Sequence, residues 1–238
     1  MEETKLDMQQ QRDGRDLLLS AISDTGRYMA AAIRYANHKA GVTDQAFWAG
    51  LFVPTGSRES DQLMRPGRDG DPACCPEDPY GKLDVQACNK YLLHGGKRTV
   101  VRNGAPVKLR DSENFFRTFR TDRQGYSTVL WSAIDLRNKS AHNTGDWEAG
   151  LTADSIRRWL GTLQDLTDPL RRVKEPWYGT LEPLDEYWKR KKQRCTALLG
   201  TEPLELEAMG QELFLCDALT PGQRNALNQA VKWFNLDC

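Results

Sequence analysis

Arg137, Asn138 and His142 stand within six residues, in the run Arg137-Asn138-Lys139-Ser140-Ala141-His142, and Asn143, Thr144 and Gly145 follow directly. An arginine and a histidine close together suit chemistry on a phosphodiester. Imidazole titrates near neutral pH and can take or give a proton, while guanidinium offers a planar, permanently charged fork for phosphate oxygens that gain charge in the transition state. The demand on structure is geometric. Five residues on an ideal helix turn through about 500°, leaving the two side chains roughly 140° apart around the axis, so they converge only if the helix ends or bends between them. Ser140, Asn143, Thr144 and Gly145 are residue types expected where a helix frays.

Spacing alone is weak. In a chain with these counts, chance places an arginine four to six residues before a histidine about 0.8 times, falling to about 0.03 once an asparagine must follow the arginine. The informative pattern is therefore Arg-Asn-x-x-x-His at the end of an amphipathic helix, and in that form it resembles the R-N-x-x-x-H signature of the HEPN superfamily of small α-helical proteins.

The resemblance implies a bundle of four or five helices that dimerises so that the motifs of two protomers face one cleft. Many members are metal-independent endoribonucleases of host defence, toxin-antitoxin pairs or RNA processing. Carried over by position, Arg137 and His142 are the catalytic pair and Asn138 the residue that orients them. The implied reaction is attack by the RNA's own 2′-hydroxyl on the adjacent phosphorus, leaving a 2′,3′-cyclic phosphate and a 5′-hydroxyl. It calls for no cofactor and spares DNA, which lacks the internal nucleophile. The competing expectation is a non-catalytic module whose cleft holds RNA, a nucleotide or a protein without cutting.

The elements that must position these residues read as mainly α, with one small β excursion. Leu18, Ile22, Met29, Ile33 and Ala36 keep one apolar face over a helix at Leu17 to Asn37, which Gly26 weakens near its middle. A short apolar piece, Asp44 to Val53, precedes a stretch from Pro54 to Lys82 that holds five of the eleven prolines and four of the nineteen glycines and reads as an irregular loop. Thr99, Val100 and Val101, then Asn103-Gly104, then Val107 and Leu109 predict a hairpin, with Pro106 suited to an edge. Helical spacing returns at Gln124 to Asn138.

The clearest helix starts at Thr152 as N-cap, carries Ile156, Trp159, Leu160, Leu163 and Leu166, and stops at Asp168-Pro169. Two more are expected, at Pro183 to Leu199 and Thr220 to Phe234. The organisation expected is a HEPN-like helical bundle over residues 1–175, with an irregular insertion near 54–110, and a C-terminal helical extension over 176–238.

Lys97 to Arg123 carries eight basic residues, Lys97, Arg98, Arg102, Lys108, Arg110, Arg117, Arg120 and Arg123, against three acidic ones. Such a surface suits RNA phosphates. Phe115, Phe116 and Phe119 are interleaved and could stack bases, although their spacing fits the buried face of a short helix better. Lys189 to Lys192 with Arg194 reads as a solvated helix face. The acidic stretch Glu202 to Asp217 is expected to pair with the basic surface of this chain or of a regulatory protein partner.

Other chemistries find little footing. Cys74, Cys75, Cys88 and His94 are zinc-type ligands, but their separations do not match paired C-x2-C knuckles. No metal site is expected. His38 and His94 read as helix C-terminal residues. No phosphate loop, dinucleotide turn or nucleophile elbow is present. With 33 basic and 33 acidic residues the net charge is zero, which argues against non-specific coating of nucleic acid; 39% hydrophobic and 28% charged residues fit a globular chain. The lack of an apolar leader or span predicts a cytoplasmic protein with reduced thiols.

Overall fold

A computed structural model describes residues 6–53, 63–95, 97–102, 105–142, 144–174 and 176–199. The described residues are mainly helical, with one two-stranded antiparallel ribbon among them.

Helix α1 (Met8–Lys39) is the hub. It begins in a capping box, in which Asp7 accepts from the Gln10 amide and the Gln10 side chain accepts from the Asp7 amide. The expected helix at Leu17 to Asn37 is thus two turns longer at its start, where the residues are mostly polar. Those first turns are held by distant partners: Gln10 reaches the Leu198 carbonyl and Gln11 that of Ala149. Helices α3 (Val85–His94), α4 (Ser112–Thr118), α7 (Ala153–Thr167) and α8 (Leu184–Leu199) all pack on α1. This explains why its buried residues extend well beyond one stripe.

Between α1 and α3, a short helix α2 (Asp44–Leu51) anchors the loop that follows it. Trp48 Nε1 donates to the Asp71 carbonyl at 2.7 Å, and Phe47 stacks on Tyr80 with ring centroids 3.8 Å apart. The described part of that loop is irregular, as its prolines and glycines predict, and ends in a single 3-10 turn, Tyr80–Lys82.

Strands β1 (Lys97–Arg102) and β2 (Ala105–Arg110) pair antiparallel, with Arg102 opposite Ala105 and Val101 opposite Pro106. The expected hairpin is therefore present. Both strands are edges, where the missing amide of Pro106 is tolerated. Helix α5 (Arg123–His142) then runs antiparallel to α3, and a short α6 (Thr144–Ala149) follows.

Helix α7 has the boundaries its sequence predicts: Thr152 and Ser155 form a capping box, and Asp168-Pro169 converts the end into a 3-10 turn. Its Ile156, Leu160, Leu163 and Leu166 are buried, each contributing about 1.5–3 kcal/mol of transfer free energy. Helix α8, expected to open a C-terminal extension, shares this core through Leu184, Tyr187, Trp188 and Cys195. Trp188 Nε1 donates to Thr167 Oγ1 at 2.8 Å. The expected helix at Thr220 to Phe234 and the acidic stretch Glu202 to Asp217 lie outside the described residues.

One expectation for this region is corrected. Lys191, read as part of a solvated face, is only 1% exposed; its Nζ lies 3.1 Å from Asp24 Oδ2 and donates to Ser20 Oγ at 2.7 Å. Burial draws its pKa down, and Asp24 opposes that shift. No helix among the described residues is long and apolar enough to cross a membrane.

Candidate functional site

The approach of α1 to α3 is set by a glycine. A Cβ on Gly26 would lie 2.9 Å from the Val85 amide nitrogen and 3.4 Å from the Asp84 carbonyl carbon, so only glycine lets the first turn of α3 rest on α1. Cys88 Sγ donates to the Gly26 carbonyl across the same contact. Because α5 packs antiparallel on α3, the C-terminal half of α5 arrives at that first turn.

Two of the three motif residues are gripped there. Arg137 Nη2 donates to Asp84 Oδ2 at 3.0 Å, while Asp84 Oδ1 accepts the Ala87 amide at 2.7 Å and caps α3. One residue on, Asn138 Oδ1 accepts from Gln86 Nε2 at 3.1 Å. Both motif side chains are half-buried. Ser140, also buried, bonds back to the Arg137 carbonyl at 2.8 Å.

Helix α5 continues without a break through Arg137 to its last residue, His142, whose side chain lies outside the described residues. The helix therefore does not end between the two residues. On this helix the Cα–Cβ directions of positions 137 and 142 differ by roughly 140°.

Arg137 opens into a cleft of about 430 Å³, lined also by Ile22 and Arg27 of α1, Lys82 of the 3-10 turn, and Leu83, Asp84 and Val85 leading into α3. Three cations face one carboxylate in it, on an apolar floor. The volume is within the range of small-molecule sites.

The basic segment is placed elsewhere. The hairpin follows the C-terminal end of α3, whereas Arg137 meets its N-terminal end, and α3 is about 15 Å long. The register sets Lys97 opposite Arg110 and Thr99 opposite Lys108, with Arg98 opposite Leu109 and Arg102 opposite Ala105, so strand alternation divides the basic positions between two faces.

Arg117 is exposed and bonds Asn114 Oδ1 at 3.0 Å. Arg120, with φ of 49°, offers its carbonyl to Arg172. Arg123 is tied into the fold: it pairs with Glu113 and donates to the carbonyls of Leu92 and Leu93 at the end of α3. Along α5 it lies about 21 Å from Arg137.

Phe115, Phe116 and Phe119 are buried, with Phe115 and Phe119 ring centroids 4.9 Å apart, so they form core rather than a stacking platform. Among the described residues the exposed large aromatic is Trp131 on α5, at 51%, with the His94 ring 6.0 Å away. Seven residues separate it from Asn138, which puts both on one face of α5.

Among the described residues no three metal-ligating side chains converge. Cys88 is buried against Gly26, and desolvation pushes its thiol well above the usual range, whereas Cys74 is exposed beside Asp71. Arg27, Lys82, Asp84 and Gln86 were not singled out by sequence reasoning. A mid-helix glycine beside Arg27 was the available signal, because glycine there marks close backbone approach. Comparison of the chain with family models, with curated proteins and with solved structures gives no match in any of the three.

Proposed function

We propose that this chain is a metal-independent endoribonuclease of the HEPN type, working as a homodimer in the cytoplasm, in a host-defence or toxin-antitoxin setting. The observation that carries the reading is the arrangement of Arg137 and Asn138, both held by the start of α3, with Arg137 facing a cation-lined cleft. In the reaction, the 2′-hydroxyl of the substrate attacks the adjacent phosphorus. The bond from phosphorus to the 5′-oxygen breaks, and that oxygen takes up a proton. Arg137 stabilises the charge that gathers on the equatorial oxygens, His142 moves the protons, and Asn138 is the polar residue that orients the pair.

A second reading, a binding module that holds RNA without cutting, is favoured by one feature. Arg137 already has a carboxylate partner in Asp84. Cleavage of single-stranded RNA in EDTA separates the two. The enzyme reading expects 2′,3′-cyclic phosphate ends from the wild type and a loss of at least 100-fold in Arg137→Ala and His142→Ala. Equal cleavage by wild type and His142→Ala removes the catalytic assignment, and tight binding with no cleavage leaves the module.

A further inference from the structure

We infer that Arg27 and Lys82 form a phosphate-holding subsite beside Arg137, in the cleft between α1 and the start of α3. The inference deepens the ribonuclease reading and rests on it for the source of the phosphate, a neighbouring diester of the same RNA strand. The charge arrangement stands by itself. Three cations from three separate elements, α1, the 3-10 turn and α5, line one cleft in which Asp84 is the single acid among the described residues. Asp84 is engaged twice, by the α3 amide and by Arg137.

Arg27 and Lys82 are exposed and make no ion pair or side-chain hydrogen bond with any described residue. Three cations that share a concave site with one carboxylate, itself already engaged, raise the local potential, and the ligand that relieves it is an anion with several oxygens. The apolar floor of Ile22, Leu83 and Val85 suits the sugar that accompanies such a phosphate. The close approach at Gly26 is what brings Arg27 to the first turn of α3 and so to Arg137.

The test uses the full chain and a single-stranded 2′-O-methyl RNA, which cannot be cut because its 2′-oxygen is blocked, titrated at several salt concentrations. Each phosphate contact to a single strand contributes about 0.7 to the slope of log affinity against log salt. The double variant Arg27→Gln, Lys82→Gln is expected to lower that slope by about 1.4 and the low-salt affinity at least tenfold. The charge-conserving variant Arg27→Lys, Lys82→Arg is expected to keep both near wild type.

A double variant with wild-type slope and affinity overturns the subsite. If wild type still cuts unmodified RNA in that case, the ribonuclease reading survives alone. Inorganic phosphate provides the other arm. Saturable phosphate binding that the double variant loses, in a wild type that neither binds nor cuts RNA, keeps the oxyanion site, assigns it to a free phosphate compound, and ends the ribonuclease reading.

Discussion

Asp84 has two jobs on two oxygens, and they can be separated by substitution. Oδ1 caps α3, a role asparagine fills as well as aspartate; Oδ2 holds Arg137 through a charge. The pair is partly exposed, with side chains 30% and 49% accessible, so it contributes no more than about 1 kcal/mol. A phosphate offering bidentate contacts can displace a partner that weak. Asp84→Asn is therefore expected to leave stability within about 1 kcal/mol of wild type and to raise affinity for 2′-O-methyl RNA roughly two- to fivefold. Asp84→Ala should also lose the cap, at about 1 kcal/mol. Urea denaturation and fluorescence anisotropy read the two effects apart. Unchanged or weaker RNA binding in Asp84→Asn would mean that Arg137 does not face the ligand.

Among the elements, the contact of α1 with α3 decides whether a cleft exists. Gly26→Ala adds a methyl group against backbone that cannot rotate away, with overpacking of about 1–3 kcal/mol, while helix propensity returns about 1 kcal/mol. A net loss of up to about 2 kcal/mol is expected, with weaker RNA binding as Arg27 moves from Arg137. Gly50→Ala in α2 is the control, since nothing lies within 4 Å of its added Cβ, and it should gain stability. Urea midpoints that shift alike for both variants would count against the close-approach account. The same contact marks where reading from sequence stops. Helix α7 was legible because Thr152 as N-cap, a 3.6-residue apolar period and Asp168-Pro169 are all local signals. The hairpin was legible from Asn103-Gly104 between β-branched residues. The first turns of α1 were not, since Leu198 and Ala149 support them from far along the chain. Arg137 and Asn138 stood out by type, yet Asp84 and Gln86 lie more than fifty residues away and meet them only through the packing of α5 on α3. Lys191 was misread because its exposure depends on α8 lying against Ser20 and Asp24 of α1.

For the whole molecule, one core built around α1 buries a set of groups that would ionise in alkali. Desolvation raises the phenols of Tyr28, Tyr80, Tyr126 and Tyr187 and the thiols of Cys88 and Cys195, with Cys195 pushed up to about 11 from a usual 9.0. Each of these keeps its proton in the fold above the pH at which the unfolded chain releases it. Their stabilisation is complete below the unfolded pKa and is lost as pH rises through the folded one. Lys191 and Lys192 carry the opposite sign: burial lowers both, the unfolded chain binds the extra proton, and their contribution improves with pH up to about 10.5. Two amines oppose four phenols and two thiols, so the sum favours the folded state less as pH climbs. The thiols act first. Above about pH 9 Cys88 and Cys195 should each remove roughly 1.4 kcal/mol per pH unit, the work of one proton, until pH passes the folded pKa of each, and the four phenols join them from about pH 10. Urea unfolding is expected to change little up to about pH 9 and to decline clearly above about pH 10, where four phenols and two thiols outweigh two amines, with the decline shallower in Cys195→Ala. Thiol alkylation at mild alkaline pH should modify the exposed Cys74 and leave Cys195, 5% exposed, intact. Equal alkylation of both thiols in folded protein, or a Cys195→Ala profile that parallels wild type, would show that α8 does not seal this part of the core.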